Sequence, residues 1–227
     1  NSLKVTFLYS MGEILVTMGG GMLLALLFNR MTRSFGLMRA FVFVPKYVAM
    51  SSAAVVFLWI LNTDSGVLNY LLQCIGLPAV DWLNQQSTAL PSVLMLTGWR
   101  VIGYGMMIYL SAMMGISQEY YEAASLDGAN GVQKFFRITL PLLSPTTLFL
   151  LVTTFLSSMK VFQSVDILTS GGPARSTEVF VYLIYRYAMV DFRMDRAATA
   201  AVMFFLILLV ITVLTMKVSD RSVTYDS

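Results

Sequence analysis

The sequence predicts an all-α, polytopic transmembrane helical bundle, and three observations carry that prediction. Of 227 residues, 57% are apolar and only 12% are charged, about half the charge of an ordinary soluble domain. Apolar runs of spanning length recur along the whole chain, which a cleaved leader does not explain. No solenoid-length repeat or low-complexity tract accounts for the excess, and the mean hydropathy is +0.74.

A helix needs about 20 mainly apolar residues to cross the hydrocarbon core. Five segments reach that length, near 7–28, 40–61, 89–114, 142–165 and 197–216, within a single membrane domain covering 1–227. The first contains Glu13, the second Lys46, the third Arg100 and the fourth Lys160, while the fifth carries no charge. Asn62-Thr63-Asp64-Ser65-Gly66 and Thr169-Ser170-Gly171-Gly172-Pro173 are rich in turn formers and mark loop boundaries. The stretch 179–187 is too short to cross, and its three tyrosines suit an interfacial helix. Ser51-Ser52-Ala53-Ala54 is expected to be a close-packing surface.

Cytoplasmic loops carry the excess of Lys and Arg. Arg30, Arg33, Arg39, Lys134, Arg137, Lys217 and Arg221 fall on one set of alternate loops, seven in all, against five on the other: Lys4, Arg175, Arg186, Arg193 and Arg196. The balance places 115–141 and the tail 217–227 in the cytoplasm and Asn1 outside. A chain that starts at Asn1 rather than methionine further predicts a span upstream of this sequence.

Composition excludes much chemistry. With no histidine and one cysteine, Cys74, there is no Ser-His triad, no His-ligated or Cys-built metal site and no disulfide framework. The net charge of +3 is scattered, unlike a nucleic-acid surface. None of the five lysines follows a glycine, so the chain has no phosphate loop for ATP. No metal and no cofactor are expected.

The segment 115–141 reads as two short helices. Ser117 caps the first, with Glu119 in its opening turn. Gly128 ends it in the left-handed conformation. Asn130 caps the second with Gln133 completing a capping box, Phe135, Phe136 and Ile138 form its apolar side, and Pro141 stops it.

Glu122-Ala123-Ala124, Gly128 after three further residues and Ile138-Thr139-Leu140-Pro141 after nine more resemble the EAA motif of permease subunits of bacterial ABC importers. The context Asp127-Gly128-Ala129 and 135–143 is similar to the carbohydrate-uptake, maltose-type family. Thr169-Ser170-Gly171-Gly172-Pro173 with Thr177 and Tyr185 is similar to the first of its two permease subunits. The resemblance covers nearly the whole chain but departs at the front, where members have one more span. It implies a type I importer permease fold in the bacterial inner membrane, translocating a sugar or related solute. It also implies a second permease subunit, two ATPase subunits and an extracytoplasmic solute-binding protein as partners. Coupling to the ATPase would fall to Glu122, Ala123, Ala124, Asp127 and Gly128, and contact with the binding protein to Gly171, Gly172 and Pro173.

An ionisable residue in a span faces protein or water rather than lipid. Thr97 and Tyr104 share a face with Arg100 in the third span, and Thr154, Ser157, Ser158 and Lys160 form a polar patch in the fourth. These residues are candidates for the substrate path, with Tyr104 or Trp99 able to stack on a sugar ring. Arg100 either lines that path, where it would select an acidic sugar, or pairs with a carboxylate such as Glu13. The rival readings are helix–helix glue for the hydroxyls and, for the whole chain, a stand-alone secondary transporter or a permease for a non-sugar solute.

Overall fold

A computed structural model describes residues 1–29 and 33–222; Arg30 and the tail residues 223–227 lie outside the described residues. Every regular element among them is helical. Among the described residues, three helices are long and apolar enough to span a bilayer: α1 (Ser2–Leu27), α5 (Gln86–Met114) and α11 (Met194–Ser222, whose apolar stretch is Met194–Val213). The remaining elements are α2 (Arg33–Phe43, continued by the 3-10 turn Val44–Tyr47), α3 (Met50–Ile60), α4 (Val67–Cys74), α6 (Gln118–Leu126), α7 (Gly131–Leu142), α8 (Ser144–Ser158), α9 (Gln163–Thr169) and α10 (Phe180–Val190).

Two of the five expected spans are bent pairs. The 40–61 segment breaks between Tyr47 and Met50, where Val48 and Ala49 are extended, and the two arms meet at 103°. Pro45 lies in the last turn before the break and lacks the N–H that would continue an α-helix. The 142–165 segment is not one helix either. Helices α7 and α8 meet at 63°, just ahead of Pro145, and the helix ends at Ser158 before restarting as α9. Pro141 does not stop α7: a π-helical stretch, Phe135–Thr139, carries the chain past it.

Helices α1 and α5 run parallel along a seam of small residues. A Cβ on Gly12 would meet Leu94, one on Gly98 would meet Val16, and one on Gly20 would meet Ile102. Both chains therefore advance by four residues per contact, the spacing of one helical ridge. Lower on the seam, a Cβ on Gly105 would lie 2.1 Å from the Thr17 carbonyl oxygen, and one on Gly21 would lie 2.8 Å from the Gly105 carbonyl carbon. Gly103, on the other side of α5, admits the backbone of α2 at Val42. Ala53 and Ala54 of α3 are buried, in keeping with a packing role, while Ser51 and Ser52 are exposed.

Polar knots close the end of the bundle where α1 begins. Asn1 Nδ2 donates to the Arg175 carbonyl at 3.0 Å, Ser2 Oγ to Glu178 at 2.8 Å, and the Phe180 N–H to Thr6 Oγ1 at 2.8 Å. Glu178, buried, also pairs with Arg186. At the same end as the start of α5, buried Asn69 organises the 62–88 loop. It donates to the carbonyls of Thr63 and Val80 at 2.9 Å and accepts from Val80 N–H at 3.1 Å and Trp82 Nε1 at 2.9 Å. The loop 115–141 sits at the opposite end of α5.

The seam yields a prediction. Gly105→Ala should cost about 1–3 kcal/mol through overpacking against backbone that cannot yield, read as a lower melting temperature of the purified protein. Gly19→Ala, where a Cβ meets nothing within 4 Å, should melt with the parent. Equal melting of the two variants would refute the seam.

Candidate functional site

The charged residues of four separate elements converge on the interior of the bundle. Two adjoining cavities, of about 230 and about 330 Å³, share Glu13, Lys46, Val101 and Ser157 in their walls. Helix α1 supplies Tyr9, Glu13 and Thr17, the turn before the break supplies Lys46, and α5 supplies Thr97, Arg100 and Tyr104. Helix α8 supplies Thr153, Thr154 and Ser157, and the chain between α8 and α9 adds Lys160.

Arg100 is tied to the broken helix. Its Nη2 donates to the carbonyls of Lys46 at 3.2 Å and Val48 at 2.9 Å, and its Nη1 contacts Met50 Sδ at 3.5 Å. Those carbonyls belong to the end of a helix, where no further turn supplies N–H donors. Arg100 thus pins the 103° bend, while its Nε is buried with no hydrogen-bond partner among the described residues. It does not form a salt bridge with Glu13 within 4.0 Å among the described residues, although Lys46 and Arg100 both act on that carboxylate electrostatically. The Lys46 ammonium lies over the Tyr104 ring, 4.8 Å from its centroid, a cation–π contact.

Most of the polar residues expected along the path meet in this chamber: Thr97, Arg100, Tyr104, Thr154 and Ser157. Ser158 does not. It is buried with its hydroxyl donating to the Phe155 carbonyl at 2.8 Å, one helical step of about 100° away from the face that Ser157 presents. Thr97 lines the wall, but its hydroxyl bonds the Val93 carbonyl at 3.1 Å. Trp99 is 42% exposed and packs on Phe57, outside the chamber. Sequence reasoning missed Thr17, Thr153 and Ser164 and gave Lys46 no role. A lysine beside Pro45 in an apolar run was the available signal.

The exposed helix pair is built as its caps predict. Ser117 Oγ accepts from Glu119 N–H at 3.3 Å, Asn130 and Gln133 exchange two bonds of 2.9 Å, and Gly128 has φ of +77°. Helix α6 has no buried residue, and Leu126 is 90% exposed. Glu122, Ala123, Asp127 and Gly128 are exposed and Ala124 half-buried. Tyr121 Oη and Thr139 Oγ1, 2.9 Å apart, tie α6 to α7.

The glycine turn at the other end is tighter than its sequence suggests. Gly171, at φ +76°, is buried, and a Cβ there would strike the Tyr182 ring at 2.6 Å. Gly172 and Pro173 are half-buried, and the exposed tip belongs to Ala174 and Arg175. Among the described residues no group of three or more His, Cys, Asp or Glu could hold a metal ion.

A bundle of membrane-length helices with a charged polar interior, and with an exposed helix pair projecting from one end, is the architecture of a transport permease. The chain belongs to the family described as binding-protein-dependent transport system inner membrane component, whose model matches residues 17–225. It is 34% identical over 226 residues to the sn-glycerol-3-phosphate transport system permease protein UgpA of Agrobacterium fabrum, spanning 99% of this chain and 77% of that protein. It is 35% identical over 214 residues to the probable ABC transporter permease protein YurN of Bacillus subtilis, covering 92% and 73%. A chain in the crystal structure of a bacterial ABC transporter that imports the acidic polysaccharide alginate superposes with a TM-score of 0.88 at 28% identity, over 98% of this chain and 79% of that one. A chain of a bacterial alginate ABC transporter, in complex with an alginate pentasaccharide-bound periplasmic protein, gives 0.86 at 29% identity, over 97% and 77%.

The clamp makes a test. Arg100→Met should destabilise the purified permease by about 2–3 kcal/mol, the loss of charge-assisted bonds to carbonyls that lipid cannot satisfy. Arg100→Lys should recover only part, since an ammonium cannot fork across two carbonyls. Thermal unfolding in detergent reads both; unchanged melting of Arg100→Met would show that the break needs no donor.

Proposed function

We propose that this permease passes a sugar or related hydroxylated solute across the bacterial inner membrane through the Glu13–Lys46–Arg100–Tyr104 chamber, together with a second permease subunit. The observation that carries this reading is the chamber itself: hydroxyls and charges from four elements meet between helices of membrane length. Hydroxyls and a ring face suit a sugar, replacing part of its hydration. The solutes for which its relatives are named, sn-glycerol 3-phosphate and alginate, are hydroxylated in the same way.

ATP hydrolysis falls to two separate ATPase subunits, which this chain contacts through α6. A helix with no buried residue and a 90% exposed leucine calls for a partner. Ala123 and Gly128 permit close backbone approach, and Glu122 and Asp127 offer carboxylates to basic groups. Substrate arrives from an extracytoplasmic binding protein at the end closed by the Asn1–Arg175 and Ser2–Glu178 contacts. The Gly171-Gly172-Pro173 turn presents Ala174 and Arg175 there. The loop 115–141 is then cytoplasmic and Asn1 external.

Two measurements test this. Purification under mild detergent should bring down an ATPase and a second permease; a chain that purifies alone yet transports is a secondary transporter. Gly128→Val, which forces a β-branched residue to φ +77°, should lower ATP-driven import at least about tenfold, given a strain of at least 1–2 kcal/mol at the docking helix. Import at the parent rate would remove α6 from coupling. For topology, single cysteines at Ser65 and Ser125, with Cys74 replaced, are exposed to an impermeant thiol reagent in intact cells. Ser65→Cys should react and Ser125→Cys should not; the reverse pattern inverts the orientation.

A further inference from the structure

The chamber is not electrically balanced. Its walls hold three cations, Lys46, Arg100 and Lys160, against one carboxylate, Glu13, which leaves an excess of two positive charges. The partners already described do not cancel them. Arg100 donates to neutral carbonyls and a thioether, and Lys46 lies over a neutral ring. Among the described residues no ion pair involves Lys46 or Lys160. Lys46 and Arg100 are half-buried and Lys160 is exposed; unpaired charge of the first kind is costly inside a membrane protein unless water or a ligand answers it.

A second, independent observation points to a ligand. Among the described residues, Thr17 Oγ1 and Arg100 Nε are buried without hydrogen-bond partners, and both residues line the chamber. Thr17 is 1% exposed, so its hydroxyl is not satisfied by bulk solvent. Orphaned buried polar atoms are rare in folded proteins and call for a partner that arrives from outside. An orphaned hydroxyl and a guanidinium N–H beside surplus ammonium groups match a solute that is both hydroxylated and negatively charged.

We propose that the solute carried through this chamber is an anionic carbohydrate or polyol, bearing a carboxylate or a phosphate monoester, whose charge is met by Lys46 and Lys160 against a background set by Arg100. Glu13 limits that attraction, so that the anion is held weakly enough to leave, as passage requires. The inference rests on the permease reading above and adds the sign of the cargo's charge.

The test uses the importer purified with the subunits that accompany this chain, reconstituted in proteoliposomes with its binding protein at saturation. Three probes are offered: sn-glycerol 3-phosphate, digalacturonate and maltose. The measured quantity is solute imported per ATP hydrolysed. One of the two anions should be imported, and which one distinguishes phosphate from carboxylate. Lys46→Gln with Lys160→Gln should cut import per ATP at least about tenfold, the scale of one unit charge at close range. Lys46→Arg should restore it, which a packing role for the methylene stem alone would not require. Lys160→Gln alone, at an exposed position, should show a partial loss and carries the test if the double variant fails to assemble. Import of maltose and of neither anion would overturn the inference and leave the sugar permease reading intact. Undiminished anion import in the lysine variants would also overturn it. Import of none of the three would withdraw the carbohydrate reading itself and this inference with it.

Discussion

The distance between α1 and α5 is the constraint on which the rest of the bundle depends. Lipid tails are as apolar as leucine, so spans gain little by hiding apolar surface from them and instead associate through close packing and hydrogen bonds. Here the closest approach is backbone to backbone, with Thr17 against Gly105 and Gly105 against Gly21. Any side chain at Gly21 or Gly105 would push the helices apart. The same stretch of α1, Leu15–Gly20, is π-helical, a widened turn that commonly accompanies functional sites. The seam therefore fixes the depth at which Glu13 and Thr17 stand relative to Arg100 and Tyr104.

Once α5 is fixed, Arg100 resolves two problems at once. A guanidinium within a span costs roughly 2.5–3.5 kcal/mol on insertion scales, and the end of a helix interrupted in the membrane leaves carbonyls that lipid cannot satisfy. Bonding the Lys46 and Val48 carbonyls to Arg100 offsets both costs. It also holds the break in an orientation that sets Lys46 over Tyr104. The bend is thus a means of bringing backbone and an ammonium group into an interior that straight helices would fill with apolar side chains. Gly103 contributes from the opposite side of α5 by letting α2 approach at Val42.

What was legible in the sequence is what is decided locally. The caps at Ser117 and at Asn130 with Gln133, and the left-handed Gly128, depend on a few neighbouring residues, and they form as their spacing indicates. The helical class followed from composition, because a chain this apolar has few other ways to satisfy its backbone in lipid. The breaks at 47–50 and 143–144 were less legible. Hydropathy measures transfer and is blind to a turn that buries its carbonyls against an arginine 52 and 54 residues away in sequence. The choice between Ser157 and Ser158 depends on the rotation of α8 against α1, where Phe155 meets Phe7 edge-on, and not on its own pattern alone. Gly171 read as an exposed turn because only the fold reveals Tyr182 above it.

The two candidate regions lie at different depths, yet one continuous path of covalent and hydrogen-bonded structure joins them. Tyr121 and Thr139 couple α6 to α7, and α7 passes into α8 through the 63° bend with no intervening loop. Thr153, on the chamber wall, lies nine residues beyond Ser144, about 14 Å at the rise of an α-helix. A displacement of α6 would therefore reach the chamber through a rigid arm about two and a half turns long rather than through flexible chain. On the far side of the chamber, α8 is followed by a break and α9, and Arg100 holds the other break at Val48. Each chamber wall that is not part of the α1–α5 seam is thus a helix interrupted close to the polar residues. Hinges of this kind can absorb rotation without unpacking a core, so the seam would stay fixed while α8 and the α2–α3 bend change the width of the space between them.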